Sequence, residues 1–301
     1  MQNKSNFKGD PLVSIGLTLY DRAHYLREVL DSWLGQTYEN FELIISDDAS
    51  PNPEVQKICE EYVAKDRRVR FFRQKKNLNI PASFKFVFGE ARGKYFKWAE
   101  DDDLYDPHFL EDCVSVLEKN PELTMVFADM VDIDDNKKQF GHPDPKKYIT
   151  TSRNTYDRLK EFILLPFGEG KVWLVLGLWK KEAVQNDPLF GYWAKDDEKP
   201  SYWWRDVFFT FRGLTRGPFG FVPQTRFFRR LRQPDERIPR PFVSRVAVSL
   251  YNRFKNVFGS PYSGYVARCI REASGLTDAE KLKLTLLNYF VMVKYLLARK
   301  T

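Results

Sequence analysis

Short apolar segments alternate with amphipathic segments over the first 130 residues of the chain. Each apolar segment has the length of one buried strand, and each amphipathic segment has the 3.6-residue period of a helix that packs on a sheet. The predicted strands span residues 13–19, 41–46, 69–72, 95–99 and 123–127, and the predicted helices span 23–34, 53–63 and 81–91, with a further helix beginning at Pro107. This alternation is typical of repeated βαβ units, and it predicts an α/β fold with a mostly parallel central sheet flanked by helices.

The pattern becomes less regular after residue 130. Residues 132–156 are polar and carry Pro and Gly, which indicates an irregular excursion. The elements predicted beyond it are strands at 172–178, 219–223 and 225–229 and helices at 202–214, 242–257, 262–272 and 278–298. Thr277 and Glu280 have the spacing of a capping box at the start of the last helix. We therefore expect two parts, an α/β domain over residues 1–232 and a basic helical C-terminal extension over residues 233–301.

Charged residues are distributed unevenly along the chain. The net charge is +7, and residues 221–301 hold 16 Lys and Arg against 5 Asp and Glu. An anionic membrane surface is one partner for such a region, because cations and aromatic side chains together favour the headgroup boundary. An equally weighted interpretation is that the C-terminal helices pack on the catalytic domain and their arginines form a solvated face. Nucleic acid is unlikely by comparison, since no recognition motif accompanies the charge. The arginines concerned are Arg226, Arg229, Arg230, Arg232, Arg237, Arg240, Arg245 and Arg253.

Cysteine usage and hydropathy bear on location. Cys59, Cys113 and Cys269 show neither the spacing of a zinc site nor the density of a disulfide scaffold, which indicates reduced thiols. The first eleven residues are polar and lack the apolar run of a signal peptide. Residues 282–297 form the longest apolar stretch, but polar residues interrupt it and it is too short to cross a bilayer comfortably. We expect a cytoplasmic protein, with a peripheral position at the cytoplasmic membrane face as the alternative.

Acidic residues follow two of the predicted strands. Glu100, Asp101, Asp102 and Asp103 follow strand 95–99, while Asp47 begins a shorter acidic pair after strand 41–46. Carboxyl ends of parallel strands share one edge of a sheet, where α/β proteins bind their ligands. Neighbouring carboxylates repel one another unless protons or a cation intervene, and Mg²⁺ takes oxygen ligands together with substrate phosphates. Each cluster alone is also compatible with a solvated turn or a helix cap, but together they favour a shared crevice.

Several motifs occur in order between residues 11 and 230. They are VSIGLTLYDR at 13–22, QTY at 36–38, FELIISDDAS at 41–50, Asn77, ARGKY at 91–95, EDDD at 100–103 with Pro107, and RDVFF at 205–209. In this combination the chain resembles the family 2 glycosyltransferases of the GT-A fold, which are inverting enzymes that use nucleotide sugars. The resemblance implies a Rossmann-like GT-A domain, with the C-terminal helices as an extension.

The resemblance also implies a donor-binding set. Its members are Thr18, Tyr20, Arg22, Asp47, Asn77 and Asp101. Thr18 and Tyr20 would line the base pocket, Asp47 would accept a hydrogen bond from the base, and Asp101 would lie near the ribose. Asn79 stands where many members of the family have Gly.

Metal binding and acid–base catalysis are implied by the same resemblance. Asp102 would ligate Mn²⁺ or Mg²⁺, and Glu100 occupies the first acidic position, where Asp is commoner. Asp206 is the candidate general base, since an acceptor hydroxyl must lose its proton during attack. An alternative for Asp206 is an acid that stabilises a helix N-terminus. The three histidines lack metal-ligand spacing, and His142 is a weaker candidate for contact with substrate.

The predicted function is inverting transfer of a sugar from a nucleotide-sugar donor, preferably a UDP-sugar, to a glycan or lipid-linked acceptor in cell-surface polysaccharide biosynthesis. The chain lacks the GxSxG, Walker and GxGxxG motifs, which argues against serine hydrolases, P-loop NTPases and dinucleotide oxidoreductases. One alternative is a catalytically degenerate scaffold that binds nucleotide sugar. Another is a nucleotidyltransferase, but residues 19–22 are not the Gly-rich basic loop expected after its first strand.

Overall fold

A computed structural model describes residues 12–165, 169–185, 202–231 and 261–298, which contain a mixed sheet and the helices around it. The strands are β1 (Val13–Leu19), β2 (Phe41–Asp47), β3 (Val69–Arg73), β4 (Tyr95–Ala99), β5 (Leu104–Tyr105), β6 (Met125–Ile133), β7 (Gln139–Gly141), β8 (Leu178–Lys180) and β9 (Phe219–Arg230). The helices are α1 (Ala23–Leu34), α2 (Pro53–Lys65), α3 (Ile80–Glu90), α4 (Phe109–Lys119), α5 (Thr155–Leu164), α6 (Glu169–Trp173), α7 (Tyr202–Arg216), α8 (Pro261–Glu272) and α9 (Asp278–Ala298).

The sheet has the strand order β3-β2-β1-β4-β8-β6-β9-β5, with β7 paired to the outer part of β6. Strands β1 to β4 are parallel to one another, whereas β8 is antiparallel to both β4 and β6. Because β8 runs opposite to both of its neighbours, β6 and its parallel partner β9 run in the same direction as β4. The carboxyl ends of β1, β2, β4, β6 and β9 therefore point toward one edge of the sheet.

Burial and register explain why the acidic residues meet at that edge. Every residue of β2 is buried and β1 is nearly so, as expected for strands covered on both faces. Leu19 pairs with Asp47, and Leu17 pairs with Ala99, the residue before Glu100. Both acidic clusters thus begin within one or two residues of the end of the central strand β1.

The first four strands and their helices match the predicted elements closely, whereas the later region differs in several places. The strand predicted at 123–127 continues as β6 to Ile133 and pairs with β7 inside the predicted excursion. The apolar run predicted as a strand at 172–178 is the end of α6 and a 3₁₀ turn, and β8 begins only at Leu178. The two strands predicted at 219–229 form one strand, β9, whose pairing with β6 shifts register beside Ala128. Helix α5 begins at Thr155, at the end of the predicted excursion, where the sequence pattern does not predict a helix. The helix predicted at 242–257 lies outside the described residues.

The last two helices pack on the α/β part of the chain. Helix α8 contacts α7, where the rings of Phe208 and Tyr265 are 4.7 Å apart and Arg212 pairs with Glu272 at 2.8 Å. Helix α9 contacts α5 and α8, and its predicted capping box is confirmed, because Glu280 accepts from the Thr277 backbone N–H at 2.8 Å. None of the described helices is long and apolar enough to cross a bilayer. The domain boundary at residue 232 stays a proposal.

Lys171 of α6 provides a test of how burial shapes stability. It is 2% exposed, with its ammonium 4.7 Å from the centre of the Phe162 ring, and burial lowers the pKa of Lys171 to about 7. Between about pH 7 and pH 10 the unfolded chain therefore binds more protons than the folded chain. Because of this difference, Lys171 destabilises the folded protein less as the pH rises. We expect Lys171→Met to exceed the wild type in free energy of unfolding at about pH 6.5, and the gap to shrink toward about pH 9.5.

Chemical denaturation at the two pH values measures this gap. Lys160→Met is the control, because it removes an ammonium from an exposed position of α5 without relieving burial. A gap for Lys171→Met that is independent of pH would contradict the expectation.

Candidate active site

Three carboxylates converge at the carboxyl end of β4. One ligand oxygen from each of Glu100, Asp102 and Asp103 lies within 4.8 Å of the other two. Oδ2 of Asp103 is buried and accepts no hydrogen bond from any residue that the structure describes. A cation would satisfy this oxygen, as would a proton shared with Glu100. The oxygen-only donor set fits Mg²⁺ or Mn²⁺, and it adds Asp103 to the two ligands that the sequence predicted.

Burial and mutual repulsion make this cluster electrostatically costly. Burial, followed by repulsion from Glu100, raises the pKa of Asp103 well above its ordinary value. Burial, followed by repulsion from Asp102, likewise raises the pKa of Glu100. Both effects disfavour a fully ionised cluster, and a divalent cation is the partner that would relieve them.

Arg22 bridges two of the acids from the loop after β1. Its Nη1 lies 2.6 Å from Asp101 Oδ1 and 2.7 Å from Asp102 Oδ2, and its side chain is 40% exposed. The other oxygen of Asp101 accepts a long hydrogen bond of 3.4 Å from the Tyr20 backbone N–H. Burial outweighs the attraction of Arg22 and raises the pKa of Asp101 to about 6. The loop after β1 is thereby tied to the acidic cluster.

Asp47 is fully buried at the end of β2, with both carboxylate oxygens engaged. Oδ1 accepts from the backbone N–H of Ser50 at 3.0 Å and from its hydroxyl, while Oδ2 pairs with Arg73. A carboxylate oxygen can accept more than one hydrogen bond, so this arrangement fixes the orientation of Asp47 without exhausting its capacity. Its contact with a nucleotide base stays a prediction.

The remaining donor-site candidates lie around the same edge. Thr18 pairs with Ser46 near the end of β1, and Tyr20, just beyond that strand, is 47% exposed. Asn77 is exposed, and its Oδ1 accepts from the Asn79 backbone N–H at 2.9 Å, which orders the loop before α3. Asn79 has a φ of 69° and a ψ of 162°, a backbone conformation that is essentially restricted to glycine. This conformation explains physically why glycine is suited to the equivalent position in the family.

Asp206 lies in the second turn of α7, which begins at Tyr202. Three residues further on, the Phe209 ring packs 4.8 Å from the ring of Trp98, and Trp98 lies on β4 just before the acidic cluster. This contact ties the helix that carries Asp206 to the strand that carries the acids. An acid stabilises a helix dipole mainly from the first turn, so the second-turn position does not favour the N-terminal alternative. Its role as a base stays a prediction.

A cavity of about 380 Å³ opens between the outer parts of β6, β7 and β9. Its lining residues are Val131, Gln139, Phe140, Gly141, His142 and Arg226. His142 Nε2 lies 2.7 Å from Asp129 Oδ2, and Phe140 is 50% exposed. The volume falls within the range of small-ligand pockets, and the lining offers an aromatic face beside polar groups.

Two arginines of the basic region serve the interior, rather than an anionic partner or the solvated face that the sequence offered as alternatives. Arg229 pairs with Asp132 at 2.8 Å, and Arg230 pairs with Glu28 at 2.8 Å. Arg226 is exposed beside the cavity, and the remaining arginines named in the sequence analysis, from Arg232 to Arg253, lie outside the described residues. The interpretation of the C-terminal charge as a partner-facing surface is therefore wrong for these two positions.

Sequence reasoning missed three residues that shape the site, namely Ser50, Arg73 and Arg230. Ser50 follows Asp47 by three residues, a spacing typical of local side-chain turns, and this signal could have identified it. Arg73 lies 26 residues from Asp47, and Arg230 lies 127 residues from Asp103. No local pattern links residues at such separations.

Comparisons with known proteins bear on the family and the fold. The sequence model of Glycosyl transferase family 2 matches residues 14–176. The chain is 35% identical over 145 residues to an uncharacterized glycosyltransferase of Rickettsia bellii, a match that covers 48% of this chain and 20% of that protein. It is 33% identical over 139 residues to an uncharacterized glycosyltransferase of Methanocaldococcus jannaschii, covering 46% of this chain and 48% of that protein. The matched part of the chain thus spans less than half the length of either relative.

Solved structures of S. aureus TarS share the fold. The structure of its residues 1–349 in complex with UDP-GlcNAc has a TM-score of 0.64 and 14% sequence identity, covering 94% of this chain and 73% of that chain. The complex with UDP has a TM-score of 0.62, covering 91% and 69%. At this identity the likeness concerns the fold alone, and it confirms the predicted α/β architecture of a central sheet flanked by helices.

Proposed function

Because the chain belongs to glycosyl transferase family 2, we propose that it transfers a sugar from a UDP-sugar donor to a glycan or lipid-linked acceptor with inversion at the anomeric carbon. The observation that carries the proposal is the convergence of Glu100, Asp102 and Asp103 at the carboxyl edge of the sheet. Exposed Tyr20 and buried Asp47 lie at the ends of the neighbouring strands. The choice of UDP is supported by the UDP complexes of TarS, which has the same fold.

The chemistry of the donor explains the arrangement of charges. Departure of a nucleoside diphosphate develops negative charge, and a divalent cation held by the three carboxylates supplies Lewis-acid stabilisation there. Arg22 adds a second positive charge beside Asp101 and Asp102, and the exposed part of its side chain is accessible to phosphate. Asp101, which is nearly buried and held by Arg22 and the Tyr20 backbone, offers a fixed acceptor for ribose hydroxyls.

The acceptor requires a base on the opposite side from the leaving group. Asp206 is our candidate, because α7 is anchored on β4 through Phe209 and Trp98. The cavity around Phe140 and His142 lies further along the same sheet edge, and its mixed aromatic and polar lining suits a saccharide. The sugar passes through an oxocarbenium-like state, as in glycoside hydrolysis.

We place the reaction in the cytoplasm, with a peripheral membrane position and a role in cell-surface polysaccharide synthesis as further parts of the proposal. Cys59, Cys113 and Cys269 are all buried and none of the three forms a disulfide, which agrees with a reducing compartment. Residues 221–301 retain an excess of cations even after Arg229 and Arg230 are assigned to the interior. That excess supports an anionic surface as a partner of the C-terminal region.

A thermal-shift screen of nucleotide sugars, with and without Mn²⁺, tests the proposed function. A ligand that binds only the folded state raises its apparent stability, by about 2.7 kcal/mol at a hundredfold excess over Kd. We expect a UDP-sugar to raise the Tm, and Mn²⁺ to increase the shift. Release of UDP on incubation then separates an enzyme from a nucleotide-sugar-binding scaffold. A Tm that no nucleotide sugar changes would exclude both.

A further inference from the structure

Arg230, at the end of β9, has a buried side chain that contacts several different segments of the protein. Its side chain is 0% exposed, and its guanidinium lies 4.4 Å from the centre of the Tyr25 ring. Nη2 donates to Glu28 at 2.8 Å, while Nη1 donates to the backbone carbonyls of Asp134 and Asp135 at 3.3 and 3.0 Å. These contacts join α1 to the loop between β6 and β7.

The same residue also binds the acidic loop at two consecutive positions. Nε of Arg230 donates to the backbone carbonyl of Asp102 at 2.9 Å, and its backbone N–H donates to Asp103 Oδ1 at 2.8 Å. The loop then continues into β5, where Leu104 pairs with Phe228 of β9. The far side of the acidic loop is therefore fixed to β9, while Arg22 holds its near side.

Tethers of this kind matter because the loop carries like charges. Four consecutive acids favour conformations in which their carboxylates separate, whereas a cation site needs them converged. The bond from Arg230 N–H to Oδ1 of Asp103 also orients that side chain, so that Oδ2 remains the buried oxygen without a donor among the described residues.

We propose that Arg230 is a positioning residue that holds the acidic loop of residues 100–103 in the geometry required for divalent-cation binding. The expected effect on divalent-cation binding rests on the proposed function, whereas the contacts between Arg230 and the acidic loop do not depend on any sugar donor. Lysine cannot replace its side chain, because the four side-chain hydrogen bonds come from three nitrogens of one planar guanidinium, whereas an ammonium presents three donors from a single atom.

Arg229 supplies a matched control on the same strand. It pairs with Asp132 at 2.8 Å and lies 4.2 Å from the Trp173 ring, so it too combines an ion pair with an aromatic contact. Among the described residues, the Arg229 side chain forms no hydrogen bond or ion pair with residues 100–103. Substitution of either arginine by lysine removes an ion pair and an aromatic contact on β9, but only Arg230→Lys also removes a side-chain hydrogen bond to the acidic loop, the bond from Nε to the Asp102 carbonyl.

Hydrogen exchange of ligand-free full-length protein tests the tether directly. We expect Arg230→Lys to speed exchange in a peptide covering residues 100–106 by at least about tenfold, and Arg229→Lys to leave that peptide unchanged. Glu28→Gln, which neutralises the partly exposed partner of both Arg230 and Lys137 but leaves the bonds from Arg230 to the acidic loop in place, should give a smaller increase. Equal exchange in Arg230→Lys and the wild type, or equal increases in both lysine variants, would overturn the proposal.

Calorimetric titration with Mn²⁺ in the presence of UDP tests the consequence. Arg230→Lys should weaken the Mn²⁺ affinity about tenfold or more, whereas Arg229→Lys should stay within about twofold of the wild type. In turnover, the Mn²⁺ concentration for half-maximal rate should rise with little change in the KM for acceptor. Failure of the wild type to bind UDP or Mn²⁺ would count against the proposed function, and the exchange result would still decide the tether. Faster loop exchange with unchanged Mn²⁺ affinity would overturn the positioning role.

Discussion

Replacing Asp102 with alanine is expected to lower the rate of sugar transfer by about a thousandfold, because it removes one of three carboxylates from the candidate cation site. Two carboxylates can still bind a divalent cation, but more weakly and with less constraint on its position. The departing diphosphate then loses stabilisation where its charge develops. Folding should not suffer, since the change relieves repulsion within the cluster and Arg22 keeps its ion pair with Asp101.

The measurement is turnover of the UDP-sugar identified by the thermal-shift screen, across a range of Mn²⁺ concentrations, together with the Tm of each variant. Asp106→Ala is the matched control, because this acid follows the cluster by a few residues and its carboxylate accepts from the His108 N–H at 2.9 Å instead. We expect Asp106→Ala to retain turnover within a few-fold of the wild type. Turnover of Asp102→Ala within tenfold of the wild type, at a similar Tm, would eliminate the cation site.

The first half of the fold was predictable because its signals are local. Strands such as β1 and β2 are continuous apolar runs, and α1 follows with buried residues at helical spacing, including Leu26, Val29 and Trp33. Each βα unit is contained in about thirty residues, so a short stretch of the chain contains the complete pattern of one strand and one helix. The position of the acidic clusters follows from the same pattern, since polar residues end each buried strand.

The region between α5 and α7 shows where that reasoning fails. The run Val172–Leu178 is apolar throughout, and a short apolar run is compatible with a buried strand or a buried helical turn. Tertiary packing makes the choice here, with Leu174, Val175 and Leu176 buried in a 3₁₀ turn that precedes the short strand β8. The antiparallel insertion of β8 between β4 and β6 could not be read from alternation alone.

The charges of β9 show a second limit, because a sequence displays a charge without its partner. Arg229 and Arg230 look like part of a basic surface, yet their partners Asp132 and Glu28 lie 97 and 202 residues away in the chain. Burial of both arginines depends on the pairing of β9 with β6 and on the position of α1. The position of the acidic cluster was therefore predictable from the sequence, whereas the role of Arg230 in fixing that cluster was not.

Asp206→Asn is expected to reduce kcat by about a hundredfold to ten-thousandfold while leaving donor binding intact. The amide is nearly isosteric with the carboxylate, but it cannot take the proton that the acceptor hydroxyl loses during attack. Donor affinity should be preserved because the residues assigned to the nucleotide lie at or just beyond the carboxyl ends of β1 to β4, whereas Asp206 is carried by α7. Anchoring of that helix through Phe209 on Trp98 is unaffected by the substitution.

Two matched variants sharpen this test. Asp206→Glu keeps a carboxylate on a longer side chain, so it should recover part of the lost kcat if proton transfer is the role of Asp206. Asp157→Asn changes an acid in the first turn of α5 and should leave kcat unchanged. Rates at saturating donor and acceptor, with calorimetric Kd values for the donor, separate catalysis from binding. A normal kcat in Asp206→Asn would remove it as the base, whereas a selective rise in the donor Kd would reassign it to nucleotide-sugar binding.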